Sequence, residues 1–399
     1  MAALWRIWAV GFIGALAVVM AILIAPADHA PVALPALPPT LQIQTAASGV
    51  QARLTQGVVP DGWIALNPLI SGRHSRDGQA DAIRYHWPGF TARARFTGTE
   101  IALRFNDRQN RIRVMVDDGA ILRLELSRAG AALLQVSGLG TKPHDISVQV
   151  ISEAATDSAF LGFWIPPAGR ALPAPAASSR QLWVIGDSDT VGYGNTATTR
   201  DCTGDQVFAA TDSTQSYPAL LGQSFGAEAT ITARSGMGLL RNYDGADAGR
   251  ALKQLYPLVL PDHPQAREAA LPPPDVIVLA IGANDFAGSL AEGEAWPDAA
   301  ALEQDFRTEL ATFVAGLQHD HPDSALVLVV FPEADQAVRR SYRAIAAALA
   351  AQHGSAASLV ELPDLDRNGC HWHPSAADHR RIAALLAPMI ADLRPAWRS

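Results

Sequence analysis

The hydrophobic pattern of this chain changes near residue 180, and this change limits the folds that the chain can adopt. Before it, short runs such as TARARFTG and RIRVMVDD alternate apolar and polar residues with a period of two. Such alternation, with Gly, Asp and Asn turns between the runs, is typical of strands that bury one face. We therefore predict an all-β sandwich of the jelly-roll type over residues 51–165.

Beyond residue 180 the apolar runs become continuous and alternate with helical segments. The runs are QLWVI, ATITA, DVIVLAI, ALVLVV and SLVEL. Short continuous apolar runs indicate parallel strands that are covered on both faces. Strands that alternate with helices predict a three-layer α/β/α domain with a parallel sheet over residues 181–399. The functional site of such a sheet lies at the carboxyl ends of its strands.

The N-terminal segment indicates export. Residues 7–25 form an uncharged apolar run that follows Arg6, the pattern of a signal peptide or of a membrane anchor with Arg6 on the cytoplasmic side. We predict that residues 1–25 have this role and that the remainder is periplasmic or extracellular; an uncleaved anchor would tether it to the inner membrane. Contact with a membrane is expected only through this segment. The Pro/Ala-rich residues 26–50 are predicted to be a tether, and residues 166–180 a linker.

The charge balance excludes one class of partner. The formal net charge is −8, and Lys and Arg do not cluster along the chain. Binding to nucleic acid requires clustered positive charge that neutralises phosphates. We therefore expect no nucleic-acid partner.

The cysteine content favours a disulfide. Cys202 and Cys370 are the two cysteines of the chain. In an exported protein such a pair forms a disulfide more often than a metal site, because the compartment is oxidising. Two unrelated buried thiols remain the alternative.

Polar loops follow three of the predicted parallel strands. Ser188 follows the first strand in GDS, Asn284 follows the third in GAND, and His373 follows the last in CHWHPS. Topology brings these loops to one edge of the sheet. A nucleophile, an oxyanion donor and a general base are what acyl transfer requires. Helix capping is the ordinary alternative for Ser188, and the joint occurrence of the three residues argues against it.

These motifs resemble a known family. GDS, the glycine of ARSGMG, GAND and HPS resemble, in this order, the four blocks of SGNH (GDSL-type) hydrolases. Upstream, GRHS, YHWPGFTARARFTGTEIALRF and VDDG resemble the N-terminal jelly roll of carbohydrate esterase family 2, and GDSDTVGYGN is similar to its first hydrolase block. That family removes acetyl groups from xylan and glucomannan. The resemblance implies an acetyl esterase that acts on acetylated polysaccharide or oligosaccharide and needs no metal or organic cofactor.

The resemblance also implies residue roles. Ser188 matches the nucleophile, and its own N–H would be one oxyanion donor. Asn284 and Gly236 match the other oxyanion donors, with Gly238 as an alternative to Gly236. His373 matches the base that takes the serine proton and returns it to the sugar hydroxyl.

One position departs from the usual SGNH pattern. Cys370 stands where an aspartate normally lies three residues before the histidine. Members of family 2 resemble this chain in lacking that aspartate, which implies a Ser188–His373 dyad with a main-chain carbonyl at Nδ1. Asp364 or Asp366 as a third member remains an alternative.

The surroundings of the dyad carry further candidates. A bridge between Cys202 and Cys370 would hold the histidine loop against the loop that follows Ser188. Tyr193 and Trp372 flank the dyad and are candidates for stacking on a sugar ring, although either can serve packing alone. The sequence Cys370-His371-Trp372-His373 suggests zinc, but no fourth ligand is evident and we expect no metal.

Two other functions are compatible with the same residues. An envelope acetyltransferase or esterase would act on the cell's own polysaccharide and would suit a membrane tether. A catalytically inert carbohydrate-binding protein would keep the fold alone. The presence of Ser188, Asn284 and His373 together argues against the inert protein.

Overall fold

The computed structural model describes residues 40–45, 49–76, 82–107, 110–117, 120–125, 130–153, 158–353 and 357–397. The predicted signal peptide or anchor, residues 1–25, lies outside this part of the chain. Within it, no helix combines the length and the apolar character that a membrane span requires.

The N-terminal half of the described chain is a sandwich of two antiparallel sheets. Its strands are β1 (Thr40–Thr45), β2 (Gln51–Thr55), β3 (Ile64–Ala65), β4 (Leu69–Ser71), β5 (Ile83–Tyr85), β6 (Thr91–Thr97), β7 (Glu100–Asp107), β8 (Arg111–Val116), β9 (Ala120–Glu125), β10 (Gly130–Ser137), β11 (Pro143–Val150), β12 (Ser158–Ile165) and β13 (Arg170–Leu172). Sheet A has the order β1-β9-β8-β11-β6-β13, with β4 also paired to β6. Sheet B has the order β2-β10-β7-β12-β3, with β5 also paired to β12. The predicted jelly-roll architecture is confirmed.

Alternation along each strand builds the core between these sheets. In β6, Ala92, Ala94 and Phe96 are buried, whereas Arg93 and Arg95 lie on the outer face. The period of two in the sequence is therefore the period at which a strand turns side chains to opposite faces of its sheet.

Two short parts of the Pro/Ala-rich segments form strands that the composition did not predict. Within the predicted tether, TLQIQT forms β1 and pairs with β9. Within the predicted linker, residues 170–172 form β13 and pair with β6. Both are edge strands, where nearby prolines are tolerated because only one side of the strand is hydrogen-bonded.

The C-terminal half contains a five-stranded parallel sheet, sheet C. Its strands are β14 (Gln181–Gly186), β15 (Glu228–Ala233), β16 (Val276–Ala280), β17 (Ala325–Val330) and β18 (Ala357–Glu361). Its helices are α1 (Ser188–Val191), α2 (Gly204–Ala210), α3 (Tyr217–Phe225), α4 (Leu252–Leu255), α5 (Ala299–Asp320), α6 (Gln336–His353) and α7 (Ala376–Leu393). Short 3₁₀ turns lie at Ser213–Gln215, Tyr243–Gly245, Asn284–Phe286, Cys370–Trp372 and Pro395–Trp397. The strand order is β15-β14-β16-β17-β18.

Helices cover both faces of sheet C. On β16, Ile277 and Leu279 belong to an apolar cluster that includes α5 and α6 residues, while Val276 and Val278 belong to a second cluster that includes α3 and α7 residues. Burial of both faces explains why these strands are continuous apolar runs. The predicted α/β/α domain is confirmed.

The sandwich is packed tightly against the α/β/α half of the chain. Trp87 is 1% exposed, lies in the apolar cluster that contains α5 and α6, and donates its indole N–H to Leu258 O at 3.0 Å. Arg73 binds the Glu268 carboxylate at 2.7 and 2.9 Å. Loops of the sandwich are thereby held in a defined position beside sheet C.

Candidate active site

Ser188 lies at a sharp corner between β14 and α1. β14 ends at Gly186, where an added Cβ would lie 2.0 Å from Thr190 Oγ1, so a side chain does not fit. Asp187 caps α1 by accepting a hydrogen bond from Asp189 N at 3.1 Å. The cap is therefore Asp187, and the capping alternative does not apply to Ser188.

His373 lies within hydrogen-bonding distance of Ser188. Its Nε2 is 2.9 Å from Ser188 Oγ. Its Nδ1 lies 3.0 Å from Cys370 O and 3.2 Å from His371 O. An N–H at Nδ1 that donates to these carbonyls leaves the Nε2 lone pair free to accept the serine proton.

Asp364 and Asp366 are the alternatives for a third member, but the hydrogen bonds of His373 Nδ1 go to main-chain oxygens and not to these carboxylates. The main-chain N–H of Asp366 donates to Asp378 at 3.0 Å, and its carbonyl accepts from Arg200 at 2.7 Å. The ring nitrogen that a carboxylate would contact is already paired with main-chain oxygens. The geometry favours orientation of His373 by carbonyl groups.

A disulfide holds the histidine loop next to the serine loop. Cys202 and Cys370 are joined, and their Cα atoms lie 5.5 Å apart, so the predicted bridge is confirmed. Cys370 N donates to Gly194 O at 3.2 Å. An added Cβ at Gly194 would lie 2.4 Å from Cys370 Cβ, which explains the second glycine of GYGN.

The candidate zinc ligand His371 has a structural role instead. Its Nε2 lies 2.8 Å from Cys202 O, and its Nδ1 lies 3.0 Å from the Tyr193 hydroxyl. Both ring nitrogens are thus engaged within the loop. Over the described ranges, no group of three or more His, Cys, Asp or Glu side chains is arranged to hold a metal.

Tyr193 and Trp372 both lie beside His373, in different environments. The Tyr193 ring packs on the His373 ring at a centroid distance of 4.3 Å. Trp372 is 57% exposed, with the Arg200 guanidinium 6.0 Å from its ring centroid. Tyr193 therefore supports the histidine, whereas Trp372 presents an open aromatic face to solvent.

Asn284 begins the short 3₁₀ turn that follows β16, next to the serine loop. Its Nδ2 is 3.0 Å from Met237 O and 3.2 Å from Asp187 Oδ2. Burial raises the pKa of Asp187, and the neighbouring charge of Asp189 adds to this effect. If Asn284 Nδ2 donates to an oxyanion, it must either make this hydrogen bond in addition to the two contacts above or give up one of them.

Gly236 and Gly238, the two candidate glycines for an oxyanion donor, differ in their hydrogen bonds. Gly238 N donates to Asn242 Oδ1 at 3.1 Å, and an added Cβ there would lie 1.9 Å from Arg241 O. Gly236 has a positive φ of 74°, and its carbonyl accepts from Tyr243 N at 2.8 Å. Because the Gly238 N–H is already engaged, the structure favours Gly236.

Asp285, which the sequence analysis did not single out, holds the loop that carries these glycines. Its carboxylate accepts hydrogen bonds from the main-chain N–H groups of Leu239, Leu240 and Arg241 at 2.8, 2.7 and 3.0 Å. Asp285 is fully buried. The fourth residue of GAND thus supports the loop next to Asn284, and its position in that motif was the available signal.

Arg367 is a second residue that the sequence analysis missed. Its guanidinium contacts Asp189, Glu333 and the carbonyl of Trp372. Burial acts to lower the pKa of Arg367, but the two carboxylates outweigh it and the pKa is raised. Its carboxylate partners Asp189 and Glu333 lie 178 and 34 positions away in the chain, so no local sequence pattern signals these contacts.

A parallel α/β/α sheet with a serine hydroxyl and an imidazole paired at its strand ends is an arrangement found in serine hydrolases. The chain belongs to the GDSL-like lipase/acylhydrolase family, whose model matches residues 184–388. Residues 70–175 match the N-terminal domain of carbohydrate esterase family 2. The resemblance inferred from the sequence motifs is confirmed.

Individual relatives agree with this assignment. An acetylxylan esterase / glucomannan deacetylase of Cellvibrio japonicus (strain Ueda107) is 33% identical over 335 residues, 82% of this chain and 91% of that protein. A carbohydrate esterase whose active site displays catalytic and non-catalytic binding functions has a TM-score of 0.75 at 30% identity, covering 84% of this chain and all of that one. A family two carbohydrate esterase from Clostridium thermocellum in complex with cellohexaose has a TM-score of 0.72 at 26% identity, covering 83% of this chain and 100% of that one.

Proposed function

We propose that this enzyme removes O-acetyl groups from polysaccharides of the xylan or glucomannan type, with Ser188 as nucleophile and His373 as general base. The observation that carries the proposal is the 2.9 Å contact between Ser188 Oγ and His373 Nε2 at the carboxyl ends of sheet C. The name of the Cellvibrio japonicus relative supports the substrate class.

In the first half of the reaction, Ser188 Oγ attacks the acetyl carbonyl while His373 Nε2 accepts the hydroxyl proton. The negative charge that develops on the carbonyl oxygen is stabilised by N–H donors, for which we propose Ser188 N, Gly236 N and Asn284 Nδ2. His373 then donates its proton to the departing sugar oxygen. The products of this half are a free sugar hydroxyl and acetyl-Ser188.

In the second half, water replaces the sugar. His373 takes a proton from water, the hydroxide oxygen attacks the acetyl carbon, and the bond to Ser188 Oγ breaks as the proton returns to that oxygen. Acetate is released and the serine is regenerated. Throughout, the carbonyls of Cys370 and His371 keep Nδ1 protonated and face the positive charge of the imidazolium.

The rim of the site suits a carbohydrate. Trp372 presents a largely exposed indole next to His373, and apolar faces of sugar rings stack on such surfaces. The complex of the Clostridium thermocellum esterase with cellohexaose supports an extended glycan as ligand. The apolar N-terminal run and the Cys202–Cys370 disulfide support an exported enzyme, since disulfides persist in oxidising compartments.

The proposal is tested by acetate release from a panel of acetylated xylan, glucomannan and unrelated acetylated glycans. The intact enzyme should favour the first two. Ser188→Ala should lower the rate on every substrate by about 1,000-fold or more, because loss of the nucleophile removes the covalent route. Retention of activity by Ser188→Ala, with an unchanged thermal transition, would show that another residue carries out the reaction.

Transfer of the acetyl group to another sugar is the competing outcome. The N-terminal apolar run would suit an enzyme that edits envelope polysaccharide. Partition of acetyl-Ser188 between water and an added oligosaccharide distinguishes the two reactions. We expect acetate as the dominant product, and acetylated oligosaccharide in excess over acetate would identify a transferase.

A further inference from the structure

A carboxylate from the sandwich reaches the loop that carries Gly236. Glu153 follows β11, and its Oε1 accepts a hydrogen bond from Ser235 N at 2.6 Å. Its Oε2 accepts a second hydrogen bond from Ser235 Oγ at 2.5 Å. Ser235 is therefore held through both its main chain and its side chain, directly before the peptide that carries the Gly236 N–H.

The segment that presents Glu153 is itself fixed. Ile151 N donates to Arg111 O at 2.9 Å within the sandwich, and Ile151 O accepts from Ser213 N at 2.8 Å in the other domain. Ser213 Oγ also donates to Val150 O at 3.1 Å. Glu153 thus extends from backbone that is hydrogen-bonded to both domains.

On the C-terminal side of Gly236, the loop is held by contacts within the hydrolase domain. Tyr243 N donates to Gly236 O, and Asp285 binds three successive main-chain N–H groups that begin at Leu239. Asp285 belongs to the hydrolase domain, whereas Glu153 belongs to the sandwich. The orientation of the peptide between Ser235 and Gly236 therefore depends on a contact between the two domains.

Stability alone is a poor reason for this arrangement. Burial raises the pKa of Glu153, and its hydrogen bonds with Ser235 only partly oppose this effect. Desolvation is the largest effect on this carboxylate, and the donors of Ser235 and the charge of Arg234 only partly offset it, so the contact contributes little net stability. The contact is more readily explained by the position that it gives to Ser235.

We propose that Glu153 is a positioning residue for ester hydrolysis: by holding Ser235, it directs the Gly236 N–H toward the oxyanion that forms at Ser188. The sandwich domain thereby supplies part of the geometry of the reaction. The inference rests on the proposed function, because it takes Gly236 as an oxyanion donor.

The central experiment compares Glu153→Ala with Glu153→Gln in the full-length enzyme, using an aryl acetate. Misdirection of one oxyanion donor should lower kcat by about 10- to 100-fold in Glu153→Ala, with KM changed by less than about threefold. Glu153→Gln should retain most of the activity, because its amide oxygen accepts from Ser235 N and its NH₂ group donates to Ser235 Oγ. Ser235→Ala, which removes only the side-chain hydrogen bond, should be intermediate.

Glu228→Ala is the matched control at the same domain interface. Glu228 accepts hydrogen bonds from Ser71 and Arg93 of the sandwich, but it begins β15, at the end of the strand away from the candidate site. It should lower the thermal transition and leave kcat unchanged. If it lowers kcat as much as Glu153→Ala does, general loosening of the interface explains both variants and the proposal is overturned.

The test also separates this proposal from the proposed function. If Ser188→Ala is inactive and Glu153→Ala keeps the wild-type kcat, the positioning role is wrong and the nucleophile assignment stands. If Ser188→Ala keeps its activity, the proposed function fails. Should Glu153→Ala not fold, Glu153→Gln and Ser235→Ala decide the question: wild-type kcat in Ser235→Ala contradicts the proposal.

Discussion

The guanidinium group of Arg367 binds both carboxylate oxygens of Asp189, at 3.2 and 2.7 Å. Asp189 directly follows Ser188, and Arg367 also donates to Trp372 O at 2.9 Å, directly before His373. One side chain therefore connects the neighbour of the candidate nucleophile with the neighbour of the candidate base. Together with the disulfide, this side chain holds the serine loop and the histidine loop at a fixed distance. Among the residues that the structure describes, no carboxylate contacts His373 Nδ1 to do so.

Replacement of Arg367 should impair catalysis more than binding. In Arg367→Ala the histidine loop loses its link to Asp189, and we expect kcat to fall by about 10- to 100-fold, because small misplacements of a base are costly. Arg367→Lys should recover only part of this, because an ammonium cannot form the two-nitrogen contact. Steady-state kinetics on an aryl acetate measures both.

Arg343→Ala is the control for Arg367. Arg343 pairs with Glu361 on an exposed surface, so its removal should leave kcat and the thermal transition almost unchanged. A wild-type kcat in folded Arg367→Ala would show that the disulfide alone is sufficient to place His373.

Reduction of the disulfide should loosen the histidine loop. Cys202→Ser should lower the free energy of unfolding by about 2–4 kcal/mol, the typical contribution of a disulfide. It should also lower kcat, because Cys370 O is one of the two carbonyls at His373 Nδ1. Kinetics and thermal unfolding with and without reductant measure both effects.

The variant also supplies the control for the reductant. Cys202→Ser should show no further loss of activity on reduction, whereas the wild type should fall to the level of the variant. Equal kcat values for oxidised and reduced wild type, with reduction verified by thiol labelling, would contradict a role of the bridge at the site.

His379 should make the protein less stable in mild acid. It is fully buried in α7, its Nδ1 accepts from Tyr217 N at 3.2 Å, and burial lowers its pKa to about 4 from the usual 6.5. As the pH falls from about 6.5 to about 4, the unfolded chain takes up a proton that the folded state does not. The free energy of unfolding should decrease over this window by up to about 3 kcal/mol.

His379→Asn, which cannot titrate, should lose this part of the pH dependence. Chemical denaturation at several pH values between about 4 and 7 measures it. His319→Asn, on the exposed surface of α5, is the control and should behave like the wild type. Identical pH profiles for His379→Asn and the wild type would rule out this explanation.

Asn284 offers a test of the oxyanion assignment. Asn284→Ala should lower kcat by about 100-fold, as for loss of one oxyanion donor. Asn284→Asp has nearly the same shape but replaces the donor with a carboxylate next to Asp187, so we expect a loss at least as large. If the aspartate variant keeps the wild-type kcat, the side chain positions the loop and does not donate to the substrate.

Much of the fold was predictable because the burial of one or both faces of a strand produces a recognisable pattern of apolar residues in the local sequence. The alternation in TARARFTG indicated a strand with one buried face, and it forms β6 of the sandwich. The continuous run DVIVLAI indicated a strand covered on both faces, and it contains β16 at the centre of the parallel sheet. The short edge strands β1 and β13 escaped prediction, because composition rich in Pro and Ala suggested extended chain.

The sequence by itself determined the two architectures, the strand ends that carry Ser188, Asn284 and His373, and the cysteine pair that forms the bridge. Only the tertiary structure decided which main-chain oxygens face His373 Nδ1, which glycine N–H is already engaged, and that Glu153 and Arg367 support the candidate site. The physical reason is the separation along the chain of the residues that interact. Periodicity records which face of an element is buried, whereas a hydrogen bond such as that between Glu153 and Ser235 joins residues 82 positions apart and forms only after the two domains have packed together.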